Sequence, residues 1–198
     1  MNILHKVPSI LVPVYDNMDD ILHGNIVTKG IVTCDHYRKG DLIHTQTGYN
    51  TFTTEGMAKI CNVVFGVVSK AAATVTCCGI FKANATPAVG DTAAAKLGAA
   101  GAYTECQDAD YTPATNRPVY TIASTSTAGC TNAASKAEFT MAAAITVYGA
   151  FLVYSSSSTQ AKTAVDGTLL CAKKFTTART TEIADVLAVT YAIALTTS

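Results

Sequence analysis

Tryptophan is absent from this 198-residue chain, and charged side chains make up only 14% of it, fourteen basic against fourteen acidic. That is about half the share usual in globular proteins. With no excess of basic residues, affinity for nucleic acid through phosphate neutralisation is not expected. A neutral, charge-poor surface also repels its own copies weakly, which suits a member of an assembly, and a homo-oligomer is expected. Four histidines, His5, His23, His36 and His44, all fall in the first quarter. There is no Cys-x-x-C, no histidine at zinc spacing, no Gly-x-Ser-x-Gly, no His-Glu-x-x-His, no phosphate loop and no dinucleotide fingerprint. No cofactor and no enzyme activity are expected.

Long hydrophobic runs are missing too. The N-terminus is apolar, but Pro8 and Pro13 interrupt it. It has neither the h-region and cleavage site of a signal peptide nor the length of a membrane span, so no membrane partner is expected. Prolines favour an extended segment, and residues 1–24 read as an arm. Ile10, Leu11, Val12, Val14 and Tyr15 are its candidate contacts, with a neighbouring subunit or with the arm's own domain.

What is present is β patterning. Phe139 and Met141 alternate with Glu138 and Thr140, while Tyr148 to Tyr154 is apolar on both faces. Leu187, Val189, Tyr191, Ile193 and Leu195 alternate with small or polar residues. Period two marks half-buried strands, and a short continuous apolar run marks one covered on both sides. Segments 25–36 and 41–47 form a hairpin around Arg38-Lys-Gly-Asp41, with Gly40 taking the positive φ. Thr54 is placed to cap a helix near 54–66. Met57, Ile60, Cys61, Val64 and Val68 share one of its faces, which is expected to pack on the sheet. A further strand covers 74–82, and Val119–Ala123 returns to strand. The stretch near 84–116 has little periodicity and reads as a long surface loop. Its Asn84-Ala-Thr86 has the form of a glycosylation acceptor, but nothing directs it to a glycosylating compartment. The expected fold is mainly β: one antiparallel β-sandwich domain over 25–198, with one packed amphipathic helix and the extended arm.

Candidate chemistry is thin. The seven cysteines are odd in number and scattered, and they read as reduced core fillers, with a structural disulfide as the alternative. Cys77 and Cys78 would point to opposite faces of one strand. His36 and His44 face each other across the hairpin, near Asp35 and Asp41, but two ligands do not make a metal site, so they read as solvent-exposed edge residues. Glu105, Asp108 and Asp110 form the densest acidic cluster. They lack both the cleft that acid/base hydrolysis needs and the ligand spacing of a calcium loop, and read as a solvated loop.

In order along the chain, Asn50-Thr-Phe-Thr-Thr-Glu-Gly-Met57 leads into the helix and Gly79-Ile-Phe-Lys82 closes a strand. Then follow Asp91-Thr-Ala93, Ala114-Thr-Asn-Arg-Pro-Val-Tyr120, Asn132-Ala-Ala-Ser-Lys-Ala-Glu-Phe-Thr140, Val147-Tyr-Gly-Ala-Phe-Leu152 and Gly167-Thr-Leu-Leu-Cys-Ala-Lys-Lys-Phe-Thr176. This succession resembles a family of small virion structural proteins of tailed double-stranded DNA bacteriophages. The resemblance spans roughly residues 25–198. It implies a non-enzymatic β protein of the particle, assembled in the host cytoplasm, whose partners are the major capsid protein or other virion proteins. The first expectation is a capsid decoration, or cement, protein. A tail or neck component is the alternative. A carbohydrate-binding β-sandwich with Tyr103, Tyr111 and Tyr120 stacking on sugars is a further one.

Overall fold

A computed structural model describes residues 26–66, 75–113, 115–122, 129–155 and 160–197. The arm, with Ile10, Leu11, Val12, Val14 and Tyr15, lies outside the described residues, as does Val68. The chain is a β-sandwich of two antiparallel sheets, as its alternating segments predict.

The first sheet begins with strands β1 (Ile26–Arg38) and β2 (Asp41–Tyr49), joined by a two-residue turn. Both turn residues have positive φ, Lys39 at 53° and Gly40 at 88°. This mirror-image turn matches the right-handed twist of the flanking strands. Strand β10 (Val186–Thr197) pairs with β1 along its length, Ile26 opposite Thr197 through Tyr37 opposite Val186. On the other edge of β10 lie β6 (Gly129–Thr131) and β7 (Ala137–Met141), and β7 carries the two-residue β5 (Tyr111–Thr112). The second sheet runs β3 (Thr51–Phe52), β9 (Thr168–Thr180), β8 (Thr146–Ser155), β4 (Val75–Phe81).

Period-two alternation decides which side chains meet between the sheets. Val32, Cys34, Phe139, Leu187, Val189 and Tyr191 of the first sheet pack against Cys78, Ile80, Ala150, Leu152, Cys171 and Phe175 of the second. Cys77 and Cys78 do point to opposite faces: Cys77, Phe81, Phe151, Val153 and Leu169 belong to a separate cluster on the outer face of the second sheet. The loop near 84–116 covers that face. It is a packed third layer rather than a solvated surface loop, because Ala93, Leu97 and Tyr103 insert into the cluster and Cys106 and Tyr111 are fully buried. A short helix, α2 (Ala93–Lys96), steers Ala93 and Leu97 inward.

Two glycines make this contact possible. In the β4–β8 ladder Gly79 is opposite Phe151 and Phe81 is opposite Gly149. Each ring lies across its partner glycine, so a Cβ on Gly79 would fall 2.1 Å from Phe151 Cζ and one on Gly149 would fall 2.2 Å from Phe81 Cζ. Tyr103 stacks on Phe81 with ring centroids 4.6 Å apart.

The helix α1 (Thr54–Phe65) has the predicted extent, but its cap and its contacts differ from expectation. Thr53 is the cap: its hydroxyl accepts from Gly56 N at 3.0 Å and donates to Leu169 O. Only Gly56 of the helix is buried, pressed against the backbone of Leu169 and Leu170. Met57 and Ile60 are half-buried, whereas Cys61 and Val64 are exposed. The first turn thus fixes the helix on β9 and leaves the later part of the apolar face uncovered by described residues. Val119 is not part of a continuous strand either. It makes an isolated bridge to Cys77, while Cys78 N donates to Pro118 O and Tyr120 N to Thr76 O. With Cys106 N on Ile80 O, these bonds close the outer edge of β4.

Candidate functional site

Chemistry-bearing side chains gather in two places: the end of the β1–β2 hairpin, and the seam between the covering layer and the second sheet.

At the hairpin, β1 sends His36 and Arg38 inward toward Asp185, which precedes β10. His36 Nε2 donates to Asp185 Oδ2 at 2.8 Å. Arg38 donates to the same carboxylate through Nε at 3.0 Å and Nη2 at 2.8 Å, and Glu182 N adds a third donor at 2.8 Å. The hydrogen bonds from Arg38 hold the Asp185 carboxyl well below the usual carboxylate range. Arg179 Nη2 lies 3.1 Å from His36 Nδ1. A guanidinium only donates, so Nδ1 is the acceptor and the ring proton sits on Nε2. The expectation of exposed edge histidines fails for His36, which is fully buried. Burial, then the charge of Arg179, lowers the pKa of half-buried His44 opposite it. Asp35 faces the other side of the sheet, bound by Lys136 Nζ at 2.7 Å and Thr45 Oγ1 at 2.8 Å, and Asp41 is exposed. With both ring nitrogens engaged and no solvent access, His36 is a structural tie and offers neither a base nor a ligand atom. Among the described residues no group of three or more His, Cys, Asp or Glu side chains is placed to hold a metal ion.

At the seam, the acidic cluster is not a solvated loop. Glu105 and Arg117 are both fully buried and joined in a fork, Nε to Oε1 and Nη2 to Oε2, each 2.6 Å. Gly98 N donates to Glu105 at 2.9 Å, and Arg117 Nη2 also reaches Ala164 O at 2.7 Å. Burial pushes the Glu105 carboxyl up, and Arg117 opposes that shift without reversing it. Asp110, nearly buried, takes Lys82 at 2.7 Å. Lys162 is 1% exposed, donates to Tyr111 O at 2.8 Å, lies 3.5 Å from the Tyr111 ring centroid and meets Asp108 at 3.3 Å. Burial lowers its pKa. Of the three acids only Asp108 is substantially exposed. Each carboxylate has its own cation, and these pairs bind the covering layer to the sandwich.

The aromatic platform expected for sugar stacking is not formed. Tyr103 and Tyr111 are fully buried and Tyr120 is 8% exposed. Tyr103 donates to Asp91 at 2.7 Å and Tyr120 to Tyr191 O at 3.1 Å. All seven cysteines are free thiols, five of them buried, and burial pushes Cys77 up to about 11 and Cys34 up to about 12. Such thiols are poor nucleophiles at neutral pH.

Sequence reasoning singled out neither Arg117 as a charge partner nor Lys162, Arg179 and Asp185. The available signal was composition: in a charge-poor chain, a charge flanked by small uncharged residues, as Lys162 and Asp185 are, needs a partner if it is to be buried.

The surface of the described residues also carries open depressions. One, about 490 Å³, lies on the outer face of the first sheet between Tyr37, Lys136, Glu138 and Ala188. Another, about 370 Å³, lies beside α2 among small residues. Large apolar side chains also stand exposed, among them Phe65 (83%), Tyr49 (70%), Val64 (64%) and Leu42 (54%). Among the described residues no helix is long and apolar enough to cross a membrane. The chain matches no protein-family model, no curated protein and no solved structure.

Proposed function

We propose that the chain is a structural protein of a tailed-phage particle, a decoration protein that clamps neighbouring subunits of the head shell. One observation carries this reading: the charged groups of the interior are engaged in ties within the fold, while large apolar side chains such as Phe65 and Tyr49 stand on a surface with little charge. A catalyst needs reactive groups free to meet substrate, whereas a clamp needs a rigid body with apolar contacts. Many copies, each adding a modest interface, reinforce a shell through its symmetry. The resemblance in the order of sequence motifs supports the same reading.

The test is the copy number in purified particles, measured by quantitative mass spectrometry against the major shell protein. A ratio close to that of the shell is the expected result. A count of roughly a dozen or fewer, as in a closed ring, moves the protein to the neck or tail and overturns the decoration role. Absence from particles overturns the virion reading altogether. The arm is tested separately: removing residues 1–15 should weaken attachment to shells while leaving the β domain folded. Undiminished attachment of the truncated chain would rule the arm out as the clamp.

A further inference from the structure

The two sheets treat their edges differently. The outer edge of β4 is closed by backbone bonds from Cys106, Pro118 and Tyr120. Beyond its short partner β3, the edge of β9 is met by Gln46, whose amide donates to Thr177 O at 2.9 Å and accepts from Thr177 N at 3.1 Å. The edge strands β3 and β5 are two residues each. Strand β2 is the exception. It is nine residues long, and among the described residues it pairs only with β1.

An open edge of this length templates another strand, and edges are normally blunted by lysine, proline or an inward charge. Asp41–Tyr49 contains no lysine, arginine or proline, and its one charge stands at its first residue. Ile43 and Tyr49 are exposed beside the edge. We infer that β2 is a self-association edge, and that a second copy of this chain docks on it antiparallel, β2 to β2, across a two-fold axis. The inference goes beyond the virion reading and does not depend on it.

Charge selects the second copy and the direction of pairing. Against β1 the register slips at the hairpin end, so that His44 faces His36 but Leu42, not Ile43, faces Tyr37. With the same slip, a pairing centred on Thr45 sets His44 against Gln46 of the second copy, Leu42 against Thr47 and Asp41 against Gly48. Gly48 is where Lys173 lies: a Cβ there would fall 2.8 Å from Lys173 Cε. Neither Asp41 nor Lys173 forms an ion pair with a described residue of its own chain. The two-fold brings them together twice. Pairing in the parallel direction would instead set Asp41 beside Asp41.

The experiment is sedimentation velocity of the full chain over a wide concentration range, with Asp41→Lys, Lys173→Asp and the combined exchange. Asp41 is exposed and Lys173 half-exposed, so thermal unfolding should register all three variants as folded. The wild type should form a reversible dimer. Each single reversal should weaken it by about two- to thirtyfold, the range for two exposed ion pairs, and the double exchange should restore it. A strictly monomeric wild type overturns the inference, as does a dimer indifferent to the reversals or not rescued by the exchange. Hydrogen exchange gives a second readout: the β2 amides that point away from β1 should slow as dimer forms. If these outward amides are already protected in the monomer, another segment of the chain occupies the edge and the inference is wrong. A dimer with no copies in particles would refute the virion reading alone, and a shell-bound monomer would refute this inference alone.

Discussion

His36 and Asp185 are 149 positions apart in the chain and 2.8 Å apart in the fold, where they fasten the β1–β2 hairpin to the turn that starts β10. The carboxylate is the hub, since Arg38 and the Glu182 amide converge on it as well.

Acid should loosen this hub. Because hydrogen bonds from Arg38 depress the folded pKa of Asp185, the stabilisation is complete above the unfolded carboxyl value, near 4, and is lost as pH falls toward the lower folded value. Denaturant titrations at stepped pH should show wild-type stability falling below about pH 4. Asp185→Asn should cost about 1–3 kcal/mol at neutral pH and flatten the acid limb. An unchanged limb would mean that other carboxylates govern it.

Arg117 and Lys162 are both buried cations, yet their removal should have different consequences. Arg117→Met strands Glu105, fully buried, and should destabilise by about 3–5 kcal/mol, with Glu105→Gln recovering part of the loss. Lys162→Met strands Asp108, which water can reach, and takes one donor from the neutral Tyr111 carbonyl, so it should cost less, about 1–3 kcal/mol. Equal costs, measured by equilibrium unfolding, would contradict the assignment of Glu105–Arg117 as the tie of the covering layer.

Gly149→Ala should prise Phe81 off the sheet. Its Cβ would meet the Phe81 ring at 2.2 Å and Lys173 O at 2.3 Å, and the backbone oxygen cannot yield as a flexible side chain does. The expected cost is about 1–3 kcal/mol, with faster proteolysis in 83–113. A fully stable Gly149→Ala protein would show that the ring has room to move.

The exposed end of α1 should contribute little to folding. Phe65→Ser and Val64→Ser should each change stability by no more than about 0.5 kcal/mol, measured by thermal unfolding. A much larger loss would show that another part of the chain covers this face.

The sandwich was legible because its strands alternate: Phe139, Leu187, Val189 and Tyr191 all point where period two sends them. The hairpin was legible from Lys39-Gly40. The covering layer was not. Its residues are small and aperiodic, and Ala93, Leu97 and Tyr103 become core only because the outer face of the second sheet is there to receive them. The helix misled for the opposite reason. Its pattern promised a packed face, but Gly56 brings the first turn onto the backbone of β9, and Val64 and Phe65 remain exposed. The tie at His36 was hidden by sequence distance, and the tie at Glu105, only twelve positions from Arg117, by the lack of any period in the stretch between them.

The covering layer gives the molecule a front and a back. One broad side is shut by aromatic rings and buried charge pairs; the other, with Ile31, Thr33 and Tyr37, has no such lid among the described residues. An in-plane antiparallel junction has its axis perpendicular to the sheet, so two copies joined through β2 would turn their open sides the same way. The pair would behave as a broad one-sided plate, able to lie across a seam between two identical neighbours with its shut side facing solvent.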